Sequence, residues 1–97
     1  MFENILKEFR KIKGNGRIVL FGSLSRGKAR FDSDIDIAVI SDEKNFIKKA
    51  EDIADMILLD YGKVVSLVKF GEKEFLERKE PLIREIKKGR VLYEGGN

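Results

Sequence analysis

Ile18-Val19-Leu20-Phe21-Gly22-Ser23-Leu24-Ser25-Arg26-Gly27, followed by Ser33-Asp34-Ile35-Asp36-Ile37-Ala38-Val39-Ile40, decides the architecture. Ile18 to Phe21 is a short continuous apolar run bounded by glycines, the pattern of a buried central strand. Ile35 to Ile40 reads as a second strand. Side chains alternate along a strand, so Asp34 and Asp36 are expected on one face. Aspartate is depleted in strands, and two like charges on a buried face are unfavourable unless a cation or an arginine neutralises them. A hard divalent cation such as Mg²⁺ takes oxygen ligands and leaves its remaining octahedral positions to water and phosphate.

Between the strands lies the turn Gly22 to Gly27 and a polar loop from Lys28 to Ser33. Gly22 lets the backbone approach a ligand closely, and the amides and hydroxyl around Ser23 can donate to phosphate oxygens. Gly-Ser is also a common strand-to-helix turn, and by itself the dipeptide does not choose between the two. The aspartate pair has its own plain alternative, a solvated strand start. Arg26 is placed either to meet a phosphate or to pair with Asp32 or Asp34. Turn and carboxylates together read as a site for a metal-bound nucleoside triphosphate.

Outward from this centre, Phe2, Ile5, Leu6, Phe9 and Ile12 form a helical stripe that stops at Gly14-Asn15-Gly16. Ser41-Asp42 is read as the cap of a long helix reaching about Asp60, with Phe46, Ile47, Ala50, Ile53, Ala54, Ile57 and Leu58 as its buried stripe. Tyr61-Gly62 ends that helix, and Val64 to Phe70 is a third strand. Glu72 to Arg78 starts another helix. Pro81 suits a helical first turn, so Pro81 to Lys88 is a separate or kinked helix. Gly89 stops it and Arg90 to Tyr93 adds an edge strand. Tyr61 and Tyr93 read as packing residues at element ends. The order predicts an α/β (α+β) fold, a small mixed sheet of three to four strands covered by helices.

The 97 residues are expected to form one domain, residues 1–97. No apolar run is long enough to span a membrane and the N-terminus lacks a signal-peptide pattern, so a cytoplasmic location is expected. The chain has no Cys and no His. Disulfides, thiolate chemistry and histidine acid–base catalysis are therefore excluded. Lys and Arg number 20 against 17 acids, interspersed along the chain, and direct nucleic-acid binding is not expected. Abundant Lys and Glu without Gln or Cys resembles thermophile usage.

At Gly22-Ser23-x-x-Arg26-Gly27 followed by Ser33-Asp34-x-Asp36, the chain resembles the minimal nucleotidyltransferases of the DNA polymerase β superfamily. The segments Pro81 to Ile86 and Val91 to Glu94 resemble the C-terminal part of these proteins. The resemblance implies a nucleotidyltransferase fold in which Gly22, Ser23 and Arg26 hold the triphosphate and Asp34 and Asp36 carry Mg²⁺ and act in catalysis. It implies transfer of a nucleotidyl group, usually AMP from ATP, to a hydroxyl. It also implies a separate protein partner, a HEPN-type toxin, for which such a chain is the antitoxin. Members usually carry a third aspartate on the strand after the long helix. Here Ser66 takes that place, which leaves open a catalytically weak nucleotide-binding module that neutralises its partner by occlusion.

Overall fold

The computed structural model describes residues 2–22 and 34–96. Its elements follow the order α1 (Phe2–Arg10), β1 (Gly16–Phe21), β2 (Ile35–Ile40), α2 (Lys44–Tyr61), β3 (Val65–Phe70), α3 (Glu72–Glu77), α4 (Pro81–Lys87) and β4 (Arg90–Gly95). The four strands form one mixed sheet in the order β3-β2-β1-β4. β1 pairs antiparallel with both β2 and β4, while β2 and β3 run parallel and are joined through α2.

Period-two alternation divides the apolar residues between two layers. Ile18, Leu20, Ile35, Ile37 and Val39 pack with Ile5, Leu6 and Phe9 of α1 and with Phe46, Ala50 and Ile57 of α2. Val19, Phe21, Ala38 and Ile40 face the other way, onto Phe70, Phe75 of α3 and Ile83 and Ile86 of α4. Helices thus cover both faces of the central strands, which is why β1 and β2 read as continuous apolar runs. The β1–β4 ladder skips Leu92, pairing Ile18 with Tyr93 and Val19 with Val91. This bulge lets Leu92 and its neighbour Tyr93 both pack on the α1–α2 layer.

Several expectations shift in detail. The helix cap assigned to Ser41-Asp42 is displaced: α2 starts at Lys44, and Glu43 precedes it without a side-chain cap. Ser41 is buried instead, its hydroxyl donating to the Asn15 carbonyl at 2.6 Å and accepting from the Glu43 amide at 3.0 Å. Asp42 accepts from the Glu72 amide at 3.0 Å and so serves the start of α3. Both side chains were recruited by tertiary neighbours that local patterning does not reveal. Leu58 and Tyr61, assigned to packing, are 49% and 41% exposed. Tyr93 does pack, its ring 5.8 Å from that of Phe46 and its hydroxyl donating to the Gly14 carbonyl at 2.9 Å.

The end of the sheet where β1 begins is closed around Phe46. A Cβ on Gly16 would lie 2.5–2.9 Å from the Phe46 ring, so only glycine admits the strand this close. Phe46 is 2% exposed. Phe46→Ala should cost about 3–5 kcal/mol. For a chain of this size the melting temperature in a calorimetric scan should then fall by roughly 10 °C or more.

Candidate active site

β1 ends at Phe21, directly opposite Asp36 on β2, and Asp36 is in turn level with Ser66 on β3. The three residues form one rung across the sheet, at the end remote from Phe46. Asp36 shares its face with Ala38 and Ile40, so it sits at the rim of the apolar layer beneath α3 and α4. It is half-buried. Asp34, one residue before β2 begins, is exposed. The Ile35 amide donates to the Val64 carbonyl at 3.0 Å, which extends the parallel pairing one residue past β3 and anchors the segment carrying both aspartates.

Gly22 closes the rung. Its backbone has φ 79°, the left-handed region that favours glycine. A Cβ at this position would collide with the Asp36 carboxylate. The strand-to-turn junction and the carboxylate therefore occupy adjoining space, which is where a ligand approaching the backbone would meet the acid. Gly22 meets Asp36, and Asp34 lies close enough to Asp36 for their charges to interact. Ser23 and Arg26 lie outside the described residues, as do Lys28, Arg30, Asp32 and Ser33.

Burial pushes the Asp36 carboxyl above its ordinary range, and the negative charge of Asp34 pushes it the same way. Among the described residues no group of three or more His, Cys, Asp or Glu side chains is arranged to hold a metal. The pair is completed on β3 by an exposed serine hydroxyl, not by a third acid. Asp60, six residues before Ser66 in the chain, is exposed near the end of α2. At the opposite end of the sheet, Asn15, Arg17, Asp42, Glu72 and Glu94 line a depression of about 430 Å³. Two of its acids are occupied by the fold: Asp42 holds the α3 amide, and Glu72 lies 3.5 Å from Arg17.

Comparison with known proteins places the chain in a family. The sequence profile of the nucleotidyltransferase domain matches residues 2–93. The chain belongs to the nucleotidyltransferase domain family. A relative from Methanocaldococcus jannaschii, provisionally named a protein adenylyltransferase, is 34% identical over 99 residues, covering 94% of this chain and 97% of the relative. A solved toxin–antitoxin structure with AMP-PNP superposes with a TM-score of 0.64 at 26% identity, covering 98% of this chain and 75% of that one. A mutant MntA–HpeT toxin–antitoxin structure shares the fold, with a TM-score of 0.59 at 22% identity over 96% of this chain and 72% of that one.

The raised carboxyl of Asp36 makes a pH prediction for the ligand-free nucleotidyltransferase. Because its folded pKa exceeds the unfolded value, its contribution to stability is complete below the usual aspartate range and is lost as pH rises through the folded value. Asp36→Asn should consequently melt above wild type at neutral pH. The two proteins should converge below about pH 4. Parallel melting curves across that range measure the difference.

Proposed function

We propose that this chain transfers AMP from ATP, with Mg²⁺, to a hydroxyl on a protein partner, and that it is the cytoplasmic antitoxin of a HEPN-type toxin. The observation that carries the proposal is the meeting of Gly22 with the Asp36 carboxylate, level with Ser66 on β3 and two residues beyond Asp34. Adenylyltransfer is the named activity of the Methanocaldococcus jannaschii relative, and the 26% identical neighbour was solved as a toxin–antitoxin with a nucleotide analogue.

The donor set suits a hard cation. Asp34 and Asp36 supply oxygens, and their mutual repulsion in a half-buried place is relieved by a positive charge between them. A bound Mg²⁺ would neutralise phosphate charge and orient the displacement. Gly22 leaves room for the backbone to approach the triphosphate, and the Gly22–Ser23 turn, with Arg26, is assigned to its oxygens. The partner's hydroxyl attacks the α-phosphorus in line. One P–O bond forms, the bond to the bridging oxygen breaks, and pyrophosphate leaves. The chain's part is positioning and charge stabilisation.

Ser66 sets the rate. It stands level with Asp36, where the family resemblance implies a third carboxylate, and a serine hydroxyl takes up no proton at neutral pH. The proton of the attacking hydroxyl then passes to solvent without an enzyme base, which makes turnover slow. The same residue favours a second reading, in which the chain binds the metal–nucleotide and neutralises its toxin by occupying it.

Labelled ATP, Mg²⁺ and the product of the adjacent gene separate the two readings. Transfer of label to that protein supports the enzyme, whereas a tight complex without label supports occlusion. Asp34→Asn combined with Asp36→Asn should abolish Mg²⁺-dependent ATP binding in calorimetry and leave the protein folded. Unchanged affinity would refute the metal assignment.

Ser66→Asp supplies the missing base and should raise the transfer rate by about 10²–10⁴-fold. In metal-free buffer the same substitution should lower the melting temperature, because three carboxylates then crowd one rung. Added Mg²⁺ should restore it. A variant that gains no activity and melts lower in both buffers would make Ser66 an ordinary strand residue.

A further inference from the structure

Hydroxyl groups are scarce in this chain. It has no Thr, and the described residues carry hydroxyls only on Ser41, Tyr61, Ser66 and Tyr93. Ser41 is buried with its hydroxyl bonded to Asn15 and Glu43, and the Tyr93 hydroxyl donates to the Gly14 carbonyl. Both lie at the end of the sheet remote from Asp36. Tyr61 closes α2, which packs on the other face of the sheet through Phe46, Ala50 and Ile57. Ser66 differs from all three. It is exposed, and among the described residues no hydrogen bond engages its hydroxyl.

The register of β2 and β3 fixes where that hydroxyl stands. The strands run parallel, with Asp36 opposite Ser66, Ala38 opposite Val68 and Ile40 opposite Phe70. Val68 and Phe70 pack with Ala38 and Ile40 beneath α3 and α4, whereas Val65 and Leu67 pack with Ile35 and Ile37 in the other layer. This alternation puts the Ser66 side chain on the Asp36 face, one strand spacing away, about 4.8 Å. Both residues lie at the rim of that layer, Asp36 half-buried and Ser66 exposed. Backbone pairing therefore holds a free hydroxyl beside the carboxylate assigned to the metal-bound triphosphate.

We propose that Ser66 is itself an acceptor, and that this chain adenylylates its own Ser66 hydroxyl. The inference rests on the transfer reading above and names a further substrate of the same site. Ser66 Oγ attacks the α-phosphorus of ATP. The Oγ–P bond forms, the bond from phosphorus to the bridging oxygen breaks, pyrophosphate leaves with that electron pair, and the Oγ proton passes to solvent. The product is a serine–AMP phosphodiester. A hydroxyl fixed to the sheet turns a bimolecular step into an intramolecular one, an advantage that the hydroxyl of a separate protein lacks. The adduct also ends the cycle. Its phosphodiester keeps a negative charge beside Asp36 and its nucleoside fills the space of the next ATP, so each chain modifies itself once and is then closed to nucleotide.

The test needs no second protein. The purified chain is incubated with Mg²⁺ and ATP labelled at either the α- or the γ-phosphate, then quenched in EDTA and denaturant. Intact mass should rise by a single AMP, with label from the α-phosphate alone, and peptide mapping should place it on Ser66. Ser66→Ala should take no label while melting as wild type does, and Ser66→Thr, which keeps a hydroxyl, should recover it. The isolated adduct, freed of metal and nucleotide, should no longer bind Mg²⁺–ATP in a calorimeter. Label on any other residue, label retained by Ser66→Ala, or an adduct that binds ATP as the unmodified chain does would each overturn the proposal. ATP bound by wild type without any mass increase removes self-modification and leaves the nucleotide site standing. Wild type that binds no Mg²⁺–ATP removes the transfer reading and this inference with it.

Discussion

Asp36 occupies the second position of a strand whose other residues are buried, and that placement constrains the sheet around it. Its neighbours across the ladder are Phe21 and Ser66, and the face beyond it is filled by Ala38 and Ile40 under α3 and α4. Slipping β2 by one residue would carry the carboxylate into the α1–α2 layer, where Ile35 and Ile37 are fully buried. An unpaired charge cannot be placed there without a cost of several kcal/mol. The acid thus specifies register in the same sense as the isoleucines on the opposite face. One residue weakens the ligand-free fold locally and helps to define it globally.

The two ends of the sheet are built differently. At the end where β1 starts, Ser41, Asp42 and Tyr93 tie loops and helix starts together with hydrogen bonds to Asn15, Glu43, Glu72 and Gly14. Phe46 seals the centre of that end. At the other end the described residues include Gly22, two aspartates and a serine. These hydrogen bonds hold the end where no chemistry is assigned, and the aspartates lie at the opposite end of the strands. Positioning of this kind is what a transferase that relies on orientation and charge requires.

Charge on the outer helix faces has a lesser role. Lys48 with Asp52 and Arg78 with Glu74 and Glu80 form exposed pairs. Such pairs contribute about 0–1 kcal/mol each at ordinary temperature. Their weight grows at high temperature, when the desolvation penalty of charged groups falls. The abundance of Lys and Glu therefore bears on stability more than on activity.

The existence, type and order of the elements were legible in the chain, because apolar periodicity and glycine punctuation are local signals. So was the approach of Gly22 to Asp36, since a short excursion between neighbouring strands brings the end of one beside the start of the next. The neighbour relation between Ser66 and Asp36 was conditional. It depended on β3 lying beside β2, and parallel pairing between distant segments leaves no local mark. The roles of Ser41 and Asp42 were likewise hidden, because a capping pattern cannot show that Asn15 and Glu72 will compete for the same side chains. Nor could periodicity tell that Leu58 would be left outside: the stripe marks which residues are able to pack, but the length of sheet beneath the helix determines which of them do. Sequence alone determined what each segment is. Long-range contacts, which no window of neighbouring residues contains, decided which side chains meet.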